Sequence, residues 1–176
     1  MSEPRAVISE CGSYRYALRR DVEPGPELVG RETAYSFHET ALFVMLNPST
    51  ADAERDDATV RRCVGFARRE GFGALAIANL YGLRSREPRA LRDAEDPVGP
   101  ENDEWIVRLA GESALVIAAW GQSAWARPRR VAEVCTLLRE VKPPIVCLGR
   151  TKAGDPRHPL YVPRDRELED FDVAAR

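Results

Sequence analysis

The sequence predicts an α/β fold, a three-layer αβα domain around a mainly parallel central sheet, and three observations carry that reading. Four short apolar runs, "ALFVML" (41–46), "ALAIANL" (74–80), "ALVIAAW" (114–120) and "PIVCLG" (144–149), are almost free of charge and bounded by turn residues. Runs of this kind fit strands buried on both faces, as in a parallel sheet. Segments with helical periodicity separate them, and strands alternating with amphipathic helices are the signature of helices packed on a parallel sheet. The chain of 176 residues, 44% hydrophobic and 31% charged, is large enough for one domain with a real core, expected over the whole chain with its core at about 14–163.

The elements follow in order. "SYRYALRR" alternates Tyr14, Tyr16 and Leu18 with Arg15 and Arg19, the period of a strand with one wet face. "DVEPGPELVGRET" (21–33) is rich in Pro and Gly and reads as a loop. After the first apolar run, Asp57 is placed to cap a helix with Val60, Cys63, Val64 and Ala67 on one stripe. Arg68 and Arg69 suit its last turn, and Gly71 ends it. Pro100 stands at a first helical position before Ile106, Leu109 and Ala110. Pro128 does the same before Val131, Val134, Cys135 and Leu138.

Composition narrows the function. A formal net charge of −2 argues against a strongly basic grip on duplex nucleic acid, while leaving room for a local basic rim. The four cysteines, Cys11, Cys63, Cys135 and Cys147, form no CxxC pair and read as small apolar residues in a reducing compartment. No apolar stretch has the length of a signal core or a membrane span, so a cytoplasmic protein without membrane contact is expected. The sequence names no cofactor and no dedicated metal site.

In an open parallel sheet, ligands bind beyond the carboxyl ends of the strands, so the residues after each apolar run are the candidates. Asn47 precedes Pro48, which holds it extended and stops the strand; its amide either bonds its own turn or holds a water or a polar ligand atom. Ser49 and Thr50 either cap a helix or offer N–H groups to an anion. Asp52, Glu54, Asp56 and Asp57 suit the start of a helix, with Asp52 and Asp56 the first candidates for a general base or metal ligand. Asn79 ends the second run, and an amide that donates and accepts at once suits the edge of a nucleobase. Arg84, Arg86, Arg89 and Arg92 either face solvent or meet phosphates. Trp120 and Trp125 flank Gly121, as core packing or as a stacking platform. His158, one of two histidines, follows the last run in "DPRHPLY" with Arg150, Lys152 and Arg157 nearby, where a catalytic or ligand-contacting role is open.

The combination "LNPSTADAERDDATVRRC", "ANLYGLRSREPRAL", "DPVGPEND", "AAWG" and "TKAGDPRHPLY" resembles the family known as domain of unknown function 1643, over roughly Tyr14 to Pro163. The order "MLNPS", "ANLYGLRSREP", "VIAAWGQSA" and "RHPLY" is also similar to that of the uracil-DNA glycosylase superfamily. That resemblance implies a fold similar to the uracil-DNA glycosylase fold and cleavage of an N-glycosidic bond. Asn47 would orient the attacking water, Asn79 would read the base, and His158 would stabilise charge on the departing base. Met45-Leu46, Thr50 and Leu160 stand where that superfamily has other, smaller residues.

Catalytic roles are therefore expected for Asn47, His158 and Asp52. Substrate contacts are expected for Pro48, Ser49, Thr50, Asn79, Arg84, Trp120, Gly121 and Arg157. The expected partner is a nucleobase, a nucleotide or single-stranded nucleic acid. The competing expectations are a non-catalytic nucleotide or nucleic-acid sensor, and an enzyme acting on a phosphorylated metabolite, with metal dependence through Asp52 and Asp56 marking the last.

Overall fold

The strands, read across the sheet, run β1-β2-β4-β3-β5-β6-β7, in a computed structural model that describes residues 5–23, 35–87, 89–122 and 128–175. The four apolar runs form β3 (Thr40–Met45), β4 (Ala74–Asn79), β5 (Leu115–Ala118) and β6 (Ile145–Cys147). These four are mutually parallel, with Phe43 opposite Ile77 on one side and Ile117 on the other. Both margins are antiparallel. β2 (Arg15–Asp21) runs against β4, with β1 (Ala6–Ile8) outside it, and β7 (Glu169–Asp170) runs against β6. The sheet is thus parallel at its centre rather than throughout, because the marginal strands arrive without a helical crossover.

Alternation along the strands sorts the core into two halves. Leu42 and Val44 point with Val116 and Ala118 toward α3 (Asn102–Gly111) and α4 (Pro128–Arg139). Ala41, Phe43 and Met45 point the other way, with Ile77 and Ile117, toward α1 (Ala58–Glu70). Helices on both faces make the three-layer αβα arrangement. A single turn, α2 (Ala90–Asp93), lies in the loop between β4 and α3.

The helix ends follow their sequence signals. Asp57 accepts the main-chain N–H of Val60 at 2.9 Å, Arg68 and Arg69 lie in the last turn, and Gly71 closes α1 with a φ of 97°. That left-handed turn lets its N–H reach the carbonyls of Ala67 and Arg68, an arrangement a side chain would strain. α3 begins at Asn102 rather than at Pro100, and α4 begins at Pro128.

One expectation fails instructively. β2 has no wet face near its start: Arg15 is 3% exposed and Arg20 is 8% exposed, alongside buried Tyr16, Ala17 and Leu18. Of the two arginines expected on that face, Arg19 is half-buried beside Glu112, whereas the loop that leads into α1 covers Arg15, and with it Arg20. Arg15 donates from Nη1 to the Ala51 carbonyl at 2.6 Å, and Arg20 pairs through Nε with Asp56 at 2.6 Å. Two buried guanidiniums therefore fasten the 51–56 segment through main-chain carbonyls and a carboxylate, with Arg15 Nε left without a partner.

The 24–34 part of the predicted Pro/Gly loop, and Trp125, lie outside the described residues. No helix among the described residues is long and apolar enough to cross a membrane.

Candidate functional site

β3 is followed by α1 and then β4 on one side of it, whereas β5 lies on the other side. The chain changes direction across the sheet there, and the loops leaving the carboxyl ends of β3 and β5 part to open a crevice. A cleft of about 830 Å³ occupies that position. Such a volume suits a small organic ligand.

Its floor is the end of the parallel sheet. Met45 and Leu46 lead out of β3, and their carbonyls accept the N–H groups of Leu80 and Tyr81 at 2.8 and 3.0 Å, which ties the exit of β4 to the exit of β3. The Pro48 carbonyl accepts the Ser85 N–H at 2.9 Å, so the two loops continue side by side. Asn47 sits at this seam. Its Nδ2 donates to the carbonyls of Ser85 and Pro48 at 2.9 and 3.0 Å, which spends both amide hydrogens on loop structure. The acceptor Oδ1 is left for whatever enters the cleft.

Asn79 is 1% exposed and lines the cleft, and its Nδ2 has no hydrogen-bond partner. A buried amide donor left unpaired costs about 1–3 kcal/mol, so its persistence at a cleft wall points to a ligand acceptor. Behind it, Asn102 donates to the carbonyls of Asn79 and Leu80 at 3.0 and 3.3 Å and fixes the main chain that presents the amide. Trp120 is 2% exposed, packs edge-on against Phe171, and also lines the cleft with its Nε1 unpartnered.

Gly121 turns with a φ of 78°, and a Cβ there would stand 3.2 Å from the Cβ of His158. The glycine lets the β5 loop and the 158 loop close on each other. His158 is extended (φ −75°, ψ 139°), as the following proline requires. Its Nδ1 accepts the Leu160 N–H at 3.3 Å, which assigns the ring proton to Nε2 in the neutral form. Burial pushes its pKa below the ordinary histidine value, with Asp57 pulling weakly the other way. A neutral imidazole, donating from Nε2, is the form present at pH 7.

A pH prediction follows. A histidine whose folded pKa is depressed contributes stability above its ordinary value of 6.5 and loses it as the pH falls through the lowered value. His158→Asn keeps an acceptor for the Leu160 N–H but cannot titrate. Thermal melts between pH 7.5 and 5 should show the wild-type Tm falling more steeply than that of the variant. Parallel curves would show that the folded state does not disfavour the imidazolium.

The structure brings together Asn47, Ser49, Asn79, Trp120, Gly121, Arg157 and His158 on one cleft. Pro48 is buried behind the wall, Thr50 is exposed, and neither they nor Arg84 and Asp52 line it. Asp52 accepts the N–H groups of Glu54 and Arg55 at 2.9 and 2.8 Å, and these bonds lower its pKa. A carboxylate so stabilised is a turn brace and a poor base. Asp56 pairs with Arg20, and among the described residues no group of three or more metal-ligating side chains occurs. Arg84 bonds the Gly12 carbonyl at 3.1 Å.

Two charged lining residues were not among the expected site residues. Asp57 was read as a helix cap, and it is one, but it is also the carboxylate of the cleft and acts on both Arg15 and His158. Arg15 was read as a surface residue of a strand. Burial pushes its pKa down to about 10, Asp57 offsets part of that, and the guanidinium stays a cation at neutral pH. Asp57 stood in the acid cluster offered for a general base, behind Asp52 and Asp56, whereas Arg15 had no signal beyond its nearness to Tyr16.

The sequence model of a family described as "Protein of unknown function (DUF1643)" matches residues 15–160. No curated protein and no solved structure matches the chain. The likeness in motif order to the uracil-DNA glycosylases therefore has no counterpart in these comparisons.

Proposed function

The chain belongs to the DUF1643 family, and from the likeness in motif order together with the cleft we propose that it hydrolyses the N-glycosidic bond of a nucleotide, in the manner of a uracil-DNA glycosylase. The observation that carries this reading is the unpartnered, buried Nδ2 of Asn79 in the same cleft as Asn47 and His158. Asn79 donates to an acceptor on the base edge. Nε2–H of His158 donates to an oxygen of the departing base. As the bond from the sugar C1′ to the base nitrogen breaks, its electron pair moves onto the base, and a preset donor is most effective against charge that develops at that moment.

The sugar is left as an oxocarbenium ion, and water adds to C1′. In such a reaction the water needs placement more than activation. Asn47 Oδ1 accepts one of its hydrogens, and Asp57, the carboxylate of the cleft, takes the proton released on addition. Asp57 replaces Asp52 in that role, because the turn at 52–55 consumes the latter.

The test is incubation of the purified protein with single- and double-stranded oligonucleotides carrying normal, deaminated and bulky modified bases, followed by assay for alkali-labile abasic sites. Abasic sites that Asn47→Ala and His158→Asn both abolish are the expected result. One observation favours a second reading, that of a nucleotide sensor without turnover: both amide hydrogens of Asn47 are committed to main-chain carbonyls. Binding across the panel with no abasic sites would transfer the assignment to that reading.

A further inference from the structure

The charges of the cleft differ from those of the chain. The protein carries a formal net charge of −2, yet Arg15, Arg86, Lys152 and Arg157 line the cleft against Asp57 as the carboxylate. Elsewhere arginines find acids: Arg5 with Asp21, Arg19 with Glu112, Arg20 with Asp56, Arg130 with Asp103 and Arg166 with Glu169. Among the described residues none of the four lining cations has an ion-pair partner. Arg157 spends only Nε, on the Arg150 carbonyl at 3.0 Å, and Arg15 spends Nη1 on Ala51.

Hydrogen bonding points the same way. Arg15 Nε, Asn79 Nδ2 and Trp120 Nε1 are buried, lack partners and belong to residues that line the cleft. All three are donors. A wall of unspent donors is matched by a ligand rich in acceptors, and unpaired cations by an anion. The sheet order separates the two functions. Arg15 and Asn79 lie on the β2–β4 side, while Lys152 and Arg157 lie on the loop after β6, at the other side of the cleft beside His158.

We propose that the ligand of this cleft is a nucleoside phosphate, its base accepting from Asn79 and Arg15 and its phosphate held by Lys152 and Arg157. This rests on the nucleotide reading above and adds to it the part of the substrate that supplies affinity. The phosphate belongs either to a free mononucleotide or to a nucleotide within a single strand. The charge is confined to one cleft in an acidic molecule, so a broad electrostatic grip on duplex is not part of the proposal.

The test is calorimetric titration of the full chain at low salt with four probes: 2′-deoxynucleosides, their 5′-monophosphates, inorganic phosphate and a short single-stranded oligonucleotide. For the base that binds, the monophosphate should bind roughly tenfold to a hundredfold tighter than the nucleoside, the range for hydrogen bonds to charged groups. Replacing both exposed cations, Lys152→Ala with Arg157→Ala, should remove that preference. An oligonucleotide that outbinds the monophosphate would assign the ligand to a strand, and equal binding would assign it to the free nucleotide; both support the proposal.

Equal affinity for nucleoside and monophosphate would overturn it, as would a preference that survives in the double variant or no binding by any probe. Abasic sites in the oligonucleotide assay together with equal affinities would leave the glycosidic reading standing and remove this one. Inorganic phosphate binding that no base strengthens would overturn both.

Discussion

Replacing Asn79 by leucine is expected to lower kcat/KM on the substrate by about 10²–10³, the loss seen when one preset donor is removed from a polar site. Leucine has nearly the shape of asparagine and fits a buried position, so the sheet should be preserved. The side chain is 1% exposed and its Nδ2 bonds nothing in the protein, so its removal deprives the fold of no hydrogen bond from that atom. Stability should be unchanged or slightly raised, and activity or ligand affinity should collapse. Melting curves and kinetics on the same preparation check this. A large drop in Tm with ligand affinity intact would make Asn79 a structural amide and remove the base reader from the mechanism.

The second large effect concerns stability. Trp120→Ala is expected to destabilise the protein by about 3–5 kcal/mol, the usual range for truncating a large buried aromatic. For a chain of this size that corresponds to a Tm about 6–20 °C lower. Trp120 follows β5 at the end of the central sheet, is 2% exposed, and meets Phe171 edge-on with ring centroids 5.5 Å apart. Its loss would open a cavity between the sheet and the C-terminal segment. Trp120→Phe keeps a ring against Phe171 while removing the unpartnered Nε1 together with part of the indole's volume, so its packing cost is smaller than that of alanine. That variant should melt between wild type and the alanine variant and bind ligand more weakly than the lost packing explains. If it also melts like the alanine variant, the indole acts through shape alone.

The central strands and the main helices were legible because each is decided by local signals. Four uncharged runs, a capping Asp57, a terminating Gly71 and a helix-starting Pro128 all agree with the tertiary structure, while Pro100 stands two residues ahead of α3, and burial merely completes what the others begin. The margins were less legible. β2 alternates arginine with apolar residues, a local pattern of exposure, but the segment that buries the arginines lies more than thirty positions away in sequence. No periodicity within β2 carries that information.

The candidate site was legible where it depends on strand ends. Asn47, Asn79, Trp120, Gly121 and His158 end or follow apolar runs, and the ends of parallel strands meet at one edge of the sheet. It was illegible where a choice had to be made within a cluster of like residues. Four acids lie between 52 and 57, and which of them faces the cleft is set by the turn that Asp52 braces and by the phase of α1. Likewise only Arg86 of the arginines at 84, 86, 89 and 92 lines the cleft, since the loop's path decides among them.

The two arginines of β2 also set an order of assembly. β2 leaves the ribosome before β3, α1 and β4, yet β4 is the strand that stands between it and the rest of the sheet. It must wait for a partner not yet synthesised, and closing so long a loop is slow relative to pairing β3 with β4 through α1. Until β2 docks, the 51–56 segment has neither Arg15 nor Arg20 to hold it. The parallel centre is therefore expected to pair first, and the cleft wall at Arg15 to be completed only when the β1–β2 hairpin docks on β4.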